Sequence, residues 1–338
     1  MSNPFQWSNA IIQFVEKETN TSFQKLILTK LAGDASTRSY FRLQHQHKTW
    51  ILLQTDPFLD EHSFPYINVQ RHLISHGIYA PQIYALHPQE GILLIEDFGD
   101  NLLEKVVHNL TPKQYAKYYF LAIDELFKIH FDASQKTTPC VSFTLYFDTE
   151  KLLWELNHTK KYLFEKYLNS TFSKEEEETI NQTFLKLCRY LDAEPRYFTH
   201  RDYHSRNLII YKEKIGVLDF QDARMGPCQY DLASLLKDSY VALPQELVQE
   251  LLKYYLFEKK AREGKEVDEK HFQKTFDWMA IQRNLKAMGT FAYLHIEKGK
   301  SNYLQYLKPT WNYVRENLEK FEEFKEFYKI LSGCCKNL

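Results

Sequence analysis

The sequence predicts an α+β protein with a small antiparallel-sheet lobe followed by a larger, mostly helical lobe. Its 338 residues exceed the usual length of one domain. Strand-like segments dominate before residue 97, whereas apolar residues recur at helical spacing after residue 100. We therefore place the N-lobe at residues 1–97 and the C-lobe at residues 98–338.

In the N-lobe, the spacing of apolar residues predicts a short helix over residues 5–18. A second helix, over residues 65–75, is inserted among the strands and ends before Gly77, which is a typical stop signal. The predicted strands cover residues 23–28, 39–43, 49–54, 82–86 and 91–96. Together these segments indicate one antiparallel sheet with an inserted helix.

The C-lobe begins with a helix for which Thr111 is the expected N-cap and Pro112 the first residue. The helical pattern stops between residues 196 and 220, where two short apolar runs flank a turn and predict a hairpin. The predicted helices cover residues 111–129, 151–168 and 174–191, the hairpin strands cover 207–211 and 216–220, and helices resume near residue 231.

The strongest chemical signal is His200-Arg201-Asp202, followed by Asn207 and, after the hairpin, by Asp219-Phe220. Phosphoryl transfer needs a carboxylate that orients the attacking hydroxyl and accepts its proton, which is the role we assign to Asp202. It also needs oxygen ligands for Mg²⁺, which Asn207 and Asp219 would supply at one end of the hairpin. A chance match on a surface loop is the weaker interpretation, because the spacing agrees over the whole segment.

Two further aspartates follow the hairpin. Asp231 comes after a Gly-Pro turn, so we interpret it as a structural residue that caps a helix and braces the loop at Asp202. Asp222 faces the substrate or is a surface charge, and the sequence leaves both readings open.

These motifs resemble the aminoglycoside phosphotransferase and choline kinase family, whose members have a protein-kinase-like bilobal fold. The matching segments are HRDYHSRN, VLDFQD and GPCQYDLASLL. The segments GDASTRSYFRL, LLIEDFGD and QRNLKAMGTFAYLHIEKGKSNYL resemble the bacterial N-acetylmuramate/N-acetylglucosamine anomeric kinases more closely. That resemblance implies a Mg²⁺-dependent transfer of the ATP γ-phosphate to the C1 hydroxyl of an amino sugar, in peptidoglycan recycling.

The resemblance also implies a nucleotide site. Residues 33–38 would form a turn over the phosphates, with Ser36 and Thr37 as hydroxyl donors, although an ordinary hairpin loop is the alternative. The backbone of a hinge from Glu96 to Phe98 would pair with adenine.

One feature departs from the general kinase pattern. Kinases usually pair a strand lysine with a helix glutamate, but Gln54 stands near the lysine position and the inserted helix has no glutamate. We expect Arg38, or with less support Arg42, to supply the missing cation.

The acceptor must reach Asp202 from the C-lobe, where polar residues suit a sugar and a cation would suit the lactyl carboxylate of N-acetylmuramate. The candidate contacts are Asp148, Glu155, Asp222, Arg224, Gln282 and Lys286, with solvated helix charges as the alternative interpretation. We assign Trp154 and the aromatic residues of 291–306 to the core.

The remaining expectations concern partners and location. Forty-three basic and 44 acidic residues leave a net charge of −1, which gives no footprint for nucleic acid or an anionic membrane. The start lacks a signal-peptide pattern, and five cysteines without metal spacing favour a reducing compartment. We expect a cytoplasmic monomer. A kinase of another small alcohol, or a nucleotide-binding pseudokinase, is the alternative function.

Overall fold

The N-terminal part of the fold is a five-stranded antiparallel sheet in the order β1-β2-β3-β5-β4. The computed structural model describes residues 7–31, 38–336 and 338. The strands are β1 (Ile27–Lys30), β2 (Ser39–His45), β3 (Lys48–Gln54), β4 (Ile83–His87) and β5 (Ile92–Glu96). The prediction of a strand from residue 23 was wrong at its start, since Phe23–Lys25 is a 3₁₀ turn.

Two helices pack on this sheet. Helix α1 (Asn9–Thr19) is capped by Ser8, whose side chain accepts a hydrogen bond from the Ile11 N–H. Helix α2 (Pro65–Ser75) is the inserted helix that the sequence predicted, and it buries Ile67 and Leu73. The first two residues of the predicted helix at 5–18 lie outside the described residues.

The larger part of the fold is built from helices around one apolar core. The helices are α3 (Leu103–Val107), α4 (Pro112–Phe127), α5 (Thr149–Thr159), α6 (Lys174–Asp192), α7 (Gln229–Leu236), α8 (Gln245–Glu263), α9 (Glu269–Lys298), α10 (Leu307–Leu318) and α11 (Lys325–Cys334). Helices α4 and α5 continue as π-helical turns at Lys128–Asp132 and Lys160–Tyr167. Thr111 caps α4 in a capping box with Gln114, as the Thr-Pro pair indicated.

Helix α9 is the central element of this part. It approaches α5 so closely that a Cβ atom at Gly289 would lie 2.4 Å from Thr159 Oγ1. The Thr159 hydroxyl also donates a hydrogen bond of 2.9 Å to the Leu285 carbonyl. The glycine therefore allows side chains of α5 and α9 on either side of this crossing to face one another.

The hairpin predicted near residue 210 consists of β7 (Leu208–Tyr211) and β8 (Lys214–Val217). Its turn residues, Lys212 and Glu213, both have positive φ angles, as a two-residue type I′ turn requires. The second strand begins two residues earlier than predicted and ends at Val217. Asp219 therefore lies just beyond it. A separate pair, β6 (Tyr197–Thr199) and β9 (Arg224–Gly226), flanks the loop that carries Asp202.

The predicted α+β architecture is confirmed, with sheet strands before residue 97 and helices predominating after it. The lobe boundary itself stays a prediction. Within the described part of the chain, the helices are all too short or too polar to traverse a lipid bilayer.

Candidate active site

The loop from His200 to Asn207 connects β6 to β7 and holds a strained residue. Arg201 has a φ angle of 81°, which is costly for a residue with a long side chain. Its backbone N–H donates a hydrogen bond of 2.9 Å to Asp231 Oδ1, and the His200 N–H donates one of 2.7 Å to Oδ2. One carboxylate therefore fixes two consecutive peptide groups of the loop.

Asp231 is fully buried and lies on α7. The prediction that it caps this helix was wrong, because α7 begins at Gln229 and Cys228 occupies the N-cap position. The carboxylate instead points to the loop, where His130 Nε2 also lies 3.3 Å from Oδ2. The predicted bracing role of Asp231 is thus consistent with its contacts.

A second carboxylate supports the middle of the same loop, and sequence reasoning missed it. Asp238 Oδ2 accepts hydrogen bonds from the Ser205 N–H at 3.0 Å and from its hydroxyl at 2.5 Å. Burial raises the pKa of Asp238, and the hydrogen bonds from Ser205 oppose that rise. An available signal was the second aspartate seven residues after Asp231, beyond the mostly apolar run LASLL.

Hydrogen bonds to three main-chain carbonyls bring Asp202, Asn207 and Asp219 to one region. The Leu218 N–H donates to the Asn207 carbonyl at 2.9 Å, and His200 Nε2 donates to the Leu218 carbonyl at 2.9 Å. Asn207 Nδ2 donates to the Asp202 carbonyl at 3.0 Å. Asn207 therefore uses its amide nitrogen to hold the loop, and among the described residues its Oδ1 accepts no hydrogen bond.

Asp219 is exposed and has a φ angle of 60°. Gln221 Nε2 donates a hydrogen bond of 2.8 Å to Asp219 Oδ1. A carboxylate and an amide oxygen next to a cleft are the hard ligands that suit Mg²⁺ when phosphate oxygens complete its shell. The described residues contain no group of three or more His, Cys, Asp or Glu arranged to hold a metal. The Asn207 and Asp219 oxygens fit a Mg²⁺ ion shared with a phosphate.

Asp202 forms an ion pair with a lysine from α9. Lys286 Nζ lies 2.9 Å from Asp202 Oδ1, and Arg201 Nε lies 3.9 Å from Oδ2. Burial acts to raise the pKa of Asp202, but the charges of Lys286 and Arg201 outweigh it and hold the pKa well below the usual range of a carboxyl. Asp202 is therefore ionised at every physiological pH.

The nucleotide-side predictions are only partly within the described residues. Ser36 and Thr37 lie outside them, whereas Arg38 lies just before β2. Ser39 pairs with Gln54, so Arg38 stands beside the position where kinases carry the strand lysine. Burial raises the pKa of Tyr40, and the negative charge of nearby Asp219 raises it further. Tyr40 also accepts a hydrogen bond from Arg38, which opposes the rise.

The alternative cation, Arg42, is occupied elsewhere. Its Nε lies 2.7 Å from Asp97 Oδ2, and its Nη1 lies 2.7 Å from Asp100 Oδ2. Glu96 ends β5, and the next hinge residue of the prediction, Phe98, is buried in a stack with Tyr79 and Tyr211, each 5.0 Å away between ring centroids. Any contact of Phe98 with a nucleotide would involve its backbone.

The acceptor-side predictions divide into two groups. Glu155 and Gln282 are buried together, with Gln282 Nε2 donating to Glu155 Oε2 at 3.1 Å. Asp222 is half exposed, and its Oδ2 lies 3.5 Å from Arg201 Nη1. Arg224 is nearly buried, and its Nε donates a long hydrogen bond of 3.4 Å to the Asp222 carbonyl.

Two predicted residues on or next to α5 have other surroundings than expected. Asp148 is the N-cap of α5 and accepts a hydrogen bond of 2.8 Å from the Lys151 N–H, so its role as a substrate contact stays a prediction. Trp154 is not a core residue, since 56% of it is exposed, although Phe291 and Tyr303 are buried as expected. The prediction rested on aromatic content alone, which does not tell that Trp154 lies on the solvent-facing side of α5.

The fold and this loop define a kinase-like phosphotransferase that acts on small molecules. A sequence profile of the phosphotransferase enzyme family matches residues 27–266, and the chain belongs to that family.

Similarity extends to proteins of known activity and structure. The chain is 30% identical over 307 residues to the N-acetylmuramate/N-acetylglucosamine kinase of Neisseria meningitidis serogroup B, covering 90% of this chain and 89% of the relative. Choline kinase from Cryptosporidium parvum superposes with a TM-score of 0.59 at 15% identity, over 91% and 96% of the chains. The streptomycin-ATP-APH(2″)-IIa ternary complex superposes with a TM-score of 0.58 at 16% identity, over 89% and 97%. Both likenesses concern the fold.

Replacement of Asp231 by Asn tests the loop support. The amide accepts one of the two hydrogen bonds and turns an N–H₂ group toward the other backbone N–H, so we expect the free energy of unfolding to fall by roughly 2–4 kcal/mol. Urea unfolding measures the loss. Asp132→Asn, at a partly exposed ion pair, is the control, and an equal change in both variants would contradict the assigned role.

Replacement of Lys286 by Met tests the ion pair with Asp202. Lys286 lowers the pKa of Asp202, so its removal raises that pKa. The acid limb of kcat/KM, which reports groups of the free enzyme, should therefore move to higher pH in the variant. The shift is measured from kcat/KM between pH 4.5 and 8 with an uncharged acceptor, which does not titrate itself. The titration of ATP affects the wild type and the variant equally and therefore cancels in the comparison. Superimposable profiles after normalisation would refute the coupling.

Proposed function

We propose that this enzyme transfers the γ-phosphoryl group of ATP to the C1 hydroxyl of N-acetylmuramate or N-acetylglucosamine, with Mg²⁺ as cofactor. The observation that carries the proposal is the position of Asp202, which lies on the loop before the β7–β8 hairpin and is held by Lys286 of α9 at 2.9 Å. Relatives at 30% identity are N-acetylmuramate/N-acetylglucosamine kinases, which supports the choice of acceptor.

The proposed chemistry assigns one task to each group. Asp202 accepts the proton of the acceptor hydroxyl as its oxygen bonds to the γ-phosphorus. The bond from that phosphorus to the β–γ bridging oxygen breaks, and ADP leaves with the electron pair. Asn207 and Asp219 would hold Mg²⁺, which, when bound, neutralises charge on the phosphate oxygens.

The choice of ATP as donor has two supports. A protein of the same fold, APH(2″)-IIa, forms a ternary complex with streptomycin and ATP. In this chain, Arg38 lies beside Gln54 at the cleft end of β2 and β3, where it replaces the usual strand lysine as a cation for the phosphates.

An amino sugar fits the acceptor side better than a cationic substrate does. Four cations lie around Asp202 and Glu155: Lys151, Arg201, Arg224 and Lys286. They are close enough for their charges to shift the pKa values of Lys151 and Arg224. Choline and aminoglycosides are cations, so this cluster repels them. A kinase of those alcohols is therefore the weaker alternative, and the intact triad of Asp202, Asn207 and Asp219 argues against a pseudokinase.

The proposed setting follows from the reactants. ATP is a cytoplasmic donor, and all five cysteines are free thiols, as a reducing compartment allows. We propose that a monomer, divided into lobes near residue 97, performs the reaction in peptidoglycan recycling.

A phosphorylation screen tests the function. We expect purified wild-type protein with ATP and Mg²⁺ to phosphorylate N-acetylmuramate and N-acetylglucosamine at C1, detected by ³¹P NMR, and not choline or an aminoglycoside. Asp202→Asn should lower kcat by about 10²-fold to 10⁴-fold, since it removes the general base. Phosphate on an aminoglycoside but on neither sugar would overturn the proposal.

Replacement of Arg38 by Ala tests the substituted cation. Loss of a charged hydrogen-bonding group at the phosphates should raise the KM for ATP or lower kcat, together by about tenfold or more in kcat/KM. Arg42→Ala is the comparison, because its guanidinium is bound to Asp97 and Asp100. An Arg38→Ala enzyme with wild-type constants for ATP would exclude this role.

A further inference from the structure

Three cations from three different elements converge on one side of Asp202. Lys151 Nζ lies 4.0 Å and Arg201 Nη2 lies 3.9 Å from the same atom, Glu155 Oε1. Arg224 joins them through Asp222, whose carbonyl it contacts at 3.4 Å and whose carboxylate lies 3.5 Å from Arg201. We call Lys151, Arg201 and Arg224 the cationic cluster.

The donors of the cationic cluster are almost unused. A lysine offers three N–H donors and an arginine five. Within the described residues, the side chains of Lys151 and Arg201 donate no hydrogen bond, and Arg224 donates only the long one to Asp222. Their carboxylate neighbours lie at ion-pair distances that are too long for good hydrogen bonds.

Nearby aromatic rings hold two of these cations in place. Arg224 lies over the Phe147 ring at 5.2 Å, and Lys151 lies over the exposed Trp154 ring at 4.1 Å. Behind them, the buried atoms Glu155 Oε1 and Gln282 Oε1 have no hydrogen-bond partner among the described residues. Buried acceptors of this kind are rarely left unpaired, and a carboxylate cannot pair with them, so they indicate a ligand that also carries hydroxyl or N–H donors, as an amino sugar does.

The charge balance favours an anion. Including Lys286, four cations face three carboxylates: Glu155, Asp202 and Asp222. Burial lowers the pKa of Lys151, and the positive charges of Arg201 and Arg224 lower it further, with Glu155 opposing. A single bound carboxylate would offset the excess positive charge.

We propose that the cationic cluster is a subsite for the carboxylate of an acidic amino-sugar acceptor, the lactyl group of N-acetylmuramate, and that it sets the preference for this sugar over N-acetylglucosamine. The inference rests on the proposed function. Arginine forks and a lysine are the groups that proteins use to bind carboxylates. Lys151 and Arg224 of the cluster stand on α5 and β9, and Arg201 directly precedes Asp202, whereas Asn207 and Asp219 flank the hairpin at the proposed metal site, so we assign the cluster to the acceptor and not to the γ-phosphate.

The test compares the two sugars in one enzyme. N-acetylglucosamine lacks the carboxylate and serves as the internal reference. We expect Lys151→Met to reduce the ratio of kcat/KM for N-acetylmuramate to that for N-acetylglucosamine by about tenfold or more, as for loss of a charged hydrogen bond. Arg224→Lys, which keeps the charge and removes the fork, should reduce the same ratio in the same direction. Lys113→Met, an exposed lysine at the start of α4, should leave both constants unchanged.

The outcomes separate this inference from the function on which it rests. If both sugars lose activity by the same factor in Lys151→Met and Arg224→Lys, the cluster serves the phosphoryl group or the fold, and the subsite is refuted while the function stands. If the wild type phosphorylates neither sugar, the proposed function fails and the subsite with it. Thermal unfolding of each variant identifies a loss of activity that comes from misfolding. Isothermal titration of N-acetylmuramate into folded Arg224→Lys then measures the dissociation constant, and a value equal to that of the wild type would refute the subsite.

Discussion

The carboxylate of Asp231 is the contact on which the geometry of the active site depends. It binds two successive N–H groups and so keeps Arg201 in a left-handed conformation that costs about 1–3 kcal/mol. Because Arg201 turns the chain at this point, Asp202 follows on the cleft side and pairs with Lys286. The reactive carboxylate is thus positioned from α7, by a residue that contacts no substrate in the proposed reaction.

This chain lacks the lysine–glutamate ion pair found in other kinases. Gln54 stands near the position of the strand lysine, and α2 contains no glutamate. A buried carboxylate without its cation would be expensive, so the two losses are coupled. We propose that Arg38, just before β2, supplies the missing cation, and that the cationic cluster supplies positive charge on the acceptor side.

Much of the fold and the central motif could be predicted from the sequence. Helix α2, the sheet strands and the hairpin have strong local signals in periodicity and turn residues, and the spacing from Asp202 through Asn207 to Asp219 is a direct consequence of that hairpin.

Contacts between distant segments could not be predicted in this way. The hydrogen bonds of Asp238 and the exposure of Trp154 depend on how α5, α7 and α9 pack, which no local pattern encodes. The caps were assigned wrongly because a helix start moved by a few residues changes which residue acts as its cap: Asp148 caps α5, and Asp231 lies inside α7.

The residues that face the acceptor and those that face the nucleotide stand on different elements. Helix α5 and strand β9 carry Lys151 and Arg224, while the hairpin and the loop before it carry the groups assigned to catalysis. Under the proposed assignment, substitutions at Lys151 and Arg224 would change which alcohol is admitted and leave Asp202, Asn207 and Asp219 in place. Such a division of labour would let gene duplicates diverge toward new metabolites in few steps.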